Sequence, residues 1–160
     1  MIPEFVSSLR AVVGADHLLW LPGVNAVVRD GFGRVLLHRR SDSGRWSLLS
    51  GILEPGEDPA AGVVREVEEE TGVRVVVERL AAVTVSPRVR HPNGDLAQYL
   101  ELVFVCRPTG ADQVARVADD ESLEVGWFAP DAMPPLRESV RERIALALAD
   151  QPLAWFSPAP

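Results

Sequence analysis

Residues 51–73 read GILEPGEDPAAGVVREVEEETGV. Asp58 is a favourable residue type before a helix and Pro59 fits its first position, while Gly72 suits the exit from its last turn. The stretch between them predicts a helix. At about 100° per residue, Ala60, Val64, Val67 and Thr71 fall on one stripe with Val63 at its edge, and this stripe is expected to pack on a sheet. Glu66, Glu69 and Glu70 are spaced i, i+3, i+4 and share a different face. Like charges at that spacing destabilise a helix by roughly a few tenths of a kcal/mol per pair, so something has to offset the repulsion. A hard divalent cation does so, since Mg²⁺ takes one or two carboxylates together with substrate phosphates. An arbitrary run such as Glu68-Glu69-Glu70 is ordinarily a solvated helix face, and the surrounding residues have to decide between the two.

Gly51, Glu57, Arg65, Glu66, Glu69, Glu70 and Gly72 stand at fixed offsets, accompanied by apolar Val67 and Val73. The spacing G-x5-E-x7-R-E-U-x-E-E-x-G-U, with U apolar, resembles the Nudix box and agrees with it at every position. Residue types average about one in fifteen, so such a set coincides by chance about once in 10⁸ windows. The resemblance covers roughly residues 20–150, with Trp46 before the box and Trp127-Phe128 after it in keeping with the family layout. It implies an α/β fold, an α/β/α sandwich with a mixed β-sheet, in which the box forms a loop–helix–loop unit. It also implies roles. Glu66, Glu69 and Glu70 would bind Mg²⁺ or Mn²⁺, with Glu66 a candidate to orient or deprotonate the attacking water. Gly51 would offer its carbonyl to the metal, Arg65 would hold the carboxylates by ion pairing, Glu57 would support the loop, and Gly72 would let the chain leave the helix.

Outward from the box, Pro3–Val13 has helical spacing of Phe5, Leu9, Val12 and Val13, with Gly14 as a stop. Residues 25–29 and 34–40 are strand-like, and Asp30-Gly31-Phe32-Gly33 between them predicts a hairpin. Residues 46–53 predict a short strand running into a loop. Val73–Val85, Tyr99–Arg107 and Glu121–Phe128 predict strands, Ser86–Asp95 a loop, and Pro134-Pro135 opens a last helix reaching Ala149. Hairpin-like strands with helices between them argue for a mixed sheet rather than a parallel doubly wound one. The expected organisation is a single domain over 1–160, with a helical extension at 1–19 and an irregular tail at 151–160. The extension either covers core or contributes to a homodimer contact.

Many Nudix proteins take a general base from a loop beyond the box. Asp119, Asp120, Glu121 and Glu124 are the candidates here, with Glu121 preferred for its position relative to Trp127; a solvated acidic turn is the alternative for each. In SPRVRHPNGD, residues 86–95, Arg88 and Arg90 match phosphate geometry. Arg40 ends a strand just before the box and reads either as a phosphate ligand or as a salt-bridged surface arginine. Trp46 reads either as a base-stacking ring or as packing at the loop. His91 reads as a solvated loop histidine. Pro87 lies near where family members acting on ADP-ribose carry a proline, though the spacing is not a clean match.

Net charge is −7 at 47% hydrophobic composition, with no stretch basic enough for a nucleic-acid footprint. An acidic chain that handles phosphates needs cations to bridge like charges. The one cysteine, Cys106, lies in an apolar run and reads as buried, with no partner for a disulfide or a CxxC zinc site. No secretory leader pattern is present and no apolar run approaches the ~20 residues of a membrane helix, so a cytoplasmic location is expected. The expected function is metal-dependent cleavage of a diphosphate bond in a small nucleotide, ADP-ribose or a related nucleotide sugar being preferred. A house-cleaning nucleoside triphosphatase is the second reading, and a non-catalytic nucleotide-binding module the third.

Overall fold

The computed structural model describes residues 2–157. The elements run α1 (Glu4–Val13), β1 (Leu19–Val28), β2 (Val35–Arg40), β3 (Trp46–Ser47), β4 (Leu49–Ile52), α2 (Pro59–Thr71), β5 (Val75–Val85), β6 (Val89–Arg90), β7 (Leu96–Pro108), β8 (Ser122–Phe128), α3 (Glu138–Leu148) and β9 (Trp155–Phe156). The main sheet has the order β4-β1-β7-β5-β9, with β6 paired to β7. It is mixed: β1 runs parallel to β7 and β9 parallel to β5, while β4–β1 and β5–β7 are antiparallel. A second sheet has the order β3-β2-β8.

Strand alternation sorts the core into two layers. Val24, Ala26 and Val28 of β1 with Phe104 and Cys106 of β7 pack against Val63 and Val67 of α2. Val27, Val103 and Val105 point the other way and meet Val140, Ile144 and Ala147 of α3. The sheet is thus covered on both faces, the α/β/α arrangement expected. Each fully buried valine stabilises the fold by about 1.5–3 kcal/mol relative to exposure. Polar ties add to α3: Arg143 pairs with Glu101 of β7, and Arg79 donates to the Ala147 carbonyl at 2.6 Å. Helix α1 covers the start of β1 and β7, setting Phe5 and Val6 on Leu19, Leu21 and Ala97. Among the described residues, no helix is long and apolar enough to cross a membrane.

Three local expectations change. The turn after β1 forms, with Gly33 at φ +79° and Asp30 Oδ1 accepting from the Phe32 and Arg34 amides at 3.0 and 2.8 Å. Beyond a single Arg29–Val35 bridge, however, the two strands part into different sheets. Strand β1 is flanked by β4 and β7 and has no edge left for β2. The last helix starts at Glu138 rather than at the prolines: residues preceding proline, Met133 and Pro134, are pushed out of the α region, and the chain is still extended at Arg137, with ψ of 149°. The expected boundaries move as well: Leu19 is already strand, and Trp155–Phe156 of the tail pairs with Ala82 and Val83 on the open edge of β5. Met1 and Pro158–Pro160 lie outside the described residues.

Candidate active site

The box helix brings its last two turns to the junction of the two sheets. Its exit is set by Gly72, whose φ of +68° is left-handed and whose amide closes on the Glu68 carbonyl at 2.8 Å. The face it buries is rotated from the expected one. Ala60 is exposed and Val64 only half-buried, whereas Gly62, Val63, Val67, Glu70 and Thr71 are buried. Glu66, Glu69 and Glu70, which share one face of the isolated helix, are separated by tertiary packing.

Glu69 is the outermost, with its side chain 55% exposed. Glu66 is 15% exposed and lies against Gly51 of β4. A Cβ at Gly51 would stand 1.9 Å from the Glu66 carboxyl carbon, so only glycine allows the strand and the carboxylate to approach this closely. Arg65 organises the outer part. Its Nε and Nη2 donate to the two oxygens of Glu57 at 2.8 and 3.0 Å, and its Nη1 donates to Glu66 Oε1 at 2.8 Å and to Glu69 Oε2 at 3.1 Å. The fork geometry of guanidinium suits this multiple contact. The bond from Arg65 holds the Glu57 carboxyl below the usual range, and Glu57 raises the guanidinium in turn. Glu66 shifts upward, chiefly through burial, against the pull of Arg65.

Glu70 is buried, at 1% exposure. Strand β4 is a sheet edge, and its Ser50 amide donates to Glu70 Oε2 at 3.2 Å. The other oxygen, Oε1, is buried without a hydrogen-bond partner. Burial, and then the charge of Glu66, pushes the Glu70 carboxyl well above its ordinary value, and Asp119 adds to this. Such an atom calls for a cation. The donor set fits one: the carboxylates of Glu66 and Glu70 are hard oxygen ligands of the kind Mg²⁺ and Mn²⁺ prefer. Among the described residues, no three His, Cys, Asp or Glu side chains converge as a ready-made cage. Mg²⁺ does not require one, since substrate phosphates and water complete its shell.

The remaining expected residues are distributed around this centre. Arg40 lies near enough to Glu70 for the carboxylate charge to act on it, but its fork is held by Asp42 at 3.0 and 2.9 Å. Arg90 ties its loop to the turn after α1, donating to Asp16 at 3.0 Å and to the Gly94 carbonyl at 2.7 Å. Arg88 is exposed. Trp46 packs edge-to-face on Phe128 at 4.8 Å, which is the packing role rather than a free stacking surface. Among the loop acids, Glu124 pairs with Arg39 at 2.7 Å. Glu121 accepts from the Ser41 amide through its backbone carbonyl at 2.8 Å, and its own amide donates to Asp119 at 3.1 Å. The loop runs along the end of α2, where the Ala118 amide meets the Glu70 carbonyl at 3.3 Å, so Asp119 is brought toward Glu70.

Sequence reasoning missed His38, Ser122, Asp42 and Tyr99. His38 ends an apolar run and reads there as one more strand residue; the structure buries it completely, with Nδ1 2.8 Å from Ser122 Oγ and 3.7 Å from Glu70 Oε1. Burial, then Arg40, lowers its pKa to about 4, so the ring is neutral near pH 7. Tyr99 hydrogen-bonds His91 Nε2 at 2.8 Å, which removes His91 from the class of merely solvated loop residues. A Cβ at Gly23 would meet the Gly51 carbonyl at 3.5 Å and the Tyr99 ring at 3.8 Å, so Gly51 and Tyr99 both neighbour Gly23 of β1. No local signal groups His38, Asp42, Tyr99 and Ser122, since they come from β2, the turn after it, β7 and β8, which only the tertiary structure joins.

The chain is similar to known proteins over most of its length. The NUDIX domain model matches residues 19–149. A MutT-like protein of Streptomyces ambofaciens is 41% identical over 134 residues, covering 84% of this chain and 76% of the relative. The 8-oxo-dGDP phosphatase NUDT18 of Mus musculus is 36% identical over 101 residues; the match covers 62% of this chain and 28% of that protein, so the chain spans little more than a quarter of its length. The crystal structure of a UDP-X diphosphatase superposes with a TM-score of 0.65 at 28% identity, covering 91% of this chain and 68% of that one.

Proposed function

The chain belongs to the Nudix family and is a hydrolase of phosphoanhydride bonds; on that premise we propose that it cleaves the diphosphate bond of a nucleoside diphosphate derivative, such as ADP-ribose or a related nucleotide sugar, with Mg²⁺ or Mn²⁺ held by Glu66, Glu70 and the Gly51 carbonyl and Glu69 at the outer side. The observation that carries the metal assignment is Glu70: a buried carboxylate with one unpartnered oxygen, next to Glu66 and Gly51. The similar proteins support the substrate class, because the names of two of them, the 8-oxo-dGDP phosphatase and the UDP-X diphosphatase, both describe compounds with a nucleoside diphosphate.

When bound, a divalent cation neutralises the diphosphate oxygens and makes water a better nucleophile. The chain's own residues do the rest. Glu66 orients the attacking water and takes its proton. Arg65 keeps Glu66 and Glu57 from drifting apart by holding both. Asp119, whose charge acts on Glu70, joins Glu121 as a candidate second base on the loop. Water forms a bond to one phosphorus, the bridging oxygen leaves with the other, and a nucleoside monophosphate and a phosphorylated second product result. Arg40 and Arg88 are the phosphate-binding candidates, Arg40 on condition that a phosphate displaces Asp42.

The relative named an 8-oxo-dGDP phosphatase favours one second reading, removal of a damaged nucleotide. A product-identification screen with Mg²⁺ and Mn²⁺ separates the two. AMP plus ribose 5-phosphate from ADP-ribose is the expected result. Faster release of a monophosphate from oxidised nucleotides selects the second reading. Tight nucleotide binding without turnover across the panel overturns both and leaves a binding module.

A further inference from the structure

We infer that His38, pinned by Ser122, is a positioning residue for Glu70: it backs the carboxylate and keeps Oε1 aimed at the cation without donating a hydrogen bond to it. This rests on the reading of Glu70 as a metal ligand. Alternation along β2 puts Leu36, His38 and Arg40 on one face, and Leu36 packs in the layer that holds Val67 of α2. His38 therefore lies behind the last turn of the box helix. It is fully buried, in a place where the preceding positions of the strand are apolar.

The partner is delivered by an irregularity in β8. Arg39 pairs with Glu124 but Arg40 pairs with Ser122, so Leu123 is skipped and turned outward at 48% exposure. In a regular ladder Leu123 would face inward beside Arg40. The bulge substitutes Ser122, whose hydroxyl reaches His38 Nδ1 at 2.8 Å. Bulges recur next to active sites because they re-aim a side chain in this way. The outcome is a ring with its orientation fixed by a hydrogen bond and with Nδ1 at 3.7 Å from Glu70 Oε1, too long to be a hydrogen bond. Glu70 is then gripped on one side only, through Oε2 and the Ser50 amide, while Oε1 stays without a donor. A residue that donated to Oε1 would compete with the cation; an open space would let the carboxylate turn away. His38 does neither.

The test is Mn²⁺ affinity, read by the loss of the free-ion paramagnetic resonance signal, on the wild-type chain, His38→Ala, His38→Leu, Ser122→Ala and Glu70→Gln, with melting of the metal-free proteins alongside. Loss of an outer-shell partner typically costs 10–100-fold in metal affinity. His38→Ala, which opens the space behind Oε1, is expected to weaken Mn²⁺ binding by about 10-fold or more. His38→Leu, which refills that space without a donor, should recover most of it, and Ser122→Ala, which frees the ring to turn, should fall between. In a Glu70→Gln background the His38→Ala substitution should add nothing. Unchanged Mn²⁺ affinity in His38→Ala, or an equal loss in both backgrounds, overturns the inference. Should His38→Ala fail to fold, the same comparison runs on Ser122→Ala, with wild-type affinity there as the overturning result. Unchanged affinity in Glu70→Gln itself overturns the metal-site reading instead, so the two failures are distinguishable.

Discussion

Replacing Gly51 by alanine adds one methyl group, and the structure says where it goes. The new carbon would stand 1.9 Å from both Cδ and Oε1 of Glu66 and 2.4 Å from Oε2. Contact distances begin near about 3.5 Å, so the carboxylate has to withdraw by roughly 1.5 Å. The displaced atoms are the end of a flexible side chain, and Gly51 is not at a positive φ, so the fold tolerates the change. Stability should stay level or rise by up to about 1 kcal/mol, because alanine restricts the unfolded chain. Catalysis should not tolerate it. A misplacement of 1 Å can cost about 100-fold in rate, so kcat should drop by about two orders of magnitude, equivalent to roughly 2.7 kcal/mol. The assay is steady-state turnover of the preferred substrate with saturating Mg²⁺, beside a thermal melt of the same preparation. Near-wild-type kcat in a folded Gly51→Ala protein would refute the claim that Glu66 works from the position it occupies against β4.

Arg65→Lys should fail to rescue Arg65→Ala, both losing at least about 10-fold in kcat, since an ammonium cannot bridge Glu57, Glu66 and Glu69 at once; equal activity of the lysine variant and wild type would contradict this. Arg10→Ala should lower stability by about 2 kcal/mol, and Tm by roughly 4–8 °C, with activity at 25 °C retained, because the 10%-exposed side chain donates to the carbonyls of Gly14, Ala15, His17 and Leu96. A calorimetric melt checks it. Cys106 is fully buried and its thiol is pushed up to about 12, so a thiol reagent at pH 8 should label it only as fast as the protein opens, and labelling at the rate of a free thiol would show the β7 core to be accessible. In metal-free protein, an unfolded histidine protonates near 6.5 while folded His38 resists until about 4, so the unfolded state binds more protons in this window and the His38 contribution to stability falls as pH drops from 6.5 toward 4. Glu70, shifted upward, acts in the opposite direction, its folded carboxylate being relieved as pH falls. His38→Asn removes only the first effect, so between pH 7.5 and pH 5 it should lose about 2 kcal/mol less than wild type in urea unfolding; parallel pH curves would refute it.

Much of the fold was legible because its signals are local. Asp58, Pro59 and Gly72 bound a helix through backbone rules that act within one turn, and β-branched runs announced β5 and β7. The strand partnership of Asp30–Gly33 was legible only as a turn, since which edge a strand takes depends on which neighbours are already filled, and β4 and β7 fill both sides of β1. The two-residue β9 gave no local signal at all: its pairing is decided by the open edge of β5.

The same division runs through the site. Sequence alone determined the chemical cast, a glycine, an arginine and the carboxylates at box spacing, because a motif is a statement about covalent order and helical period. It could not rank Glu66, Glu69 and Glu70, for a single helix treats i, i+3 and i+4 as neighbours on one face. Tertiary packing ranked them: β4 takes Glu66 against Gly51, β2 and β4 enclose Glu70, and Glu69 remains outside. It also decided the company they keep, since His38 and Ser122, 84 residues apart, meet only because a skipped residue in β8 turns Ser122 inward. Burial and charge at a given atom are sums over everything that surrounds it in space, and those surroundings come from strands that chain order alone does not bring together.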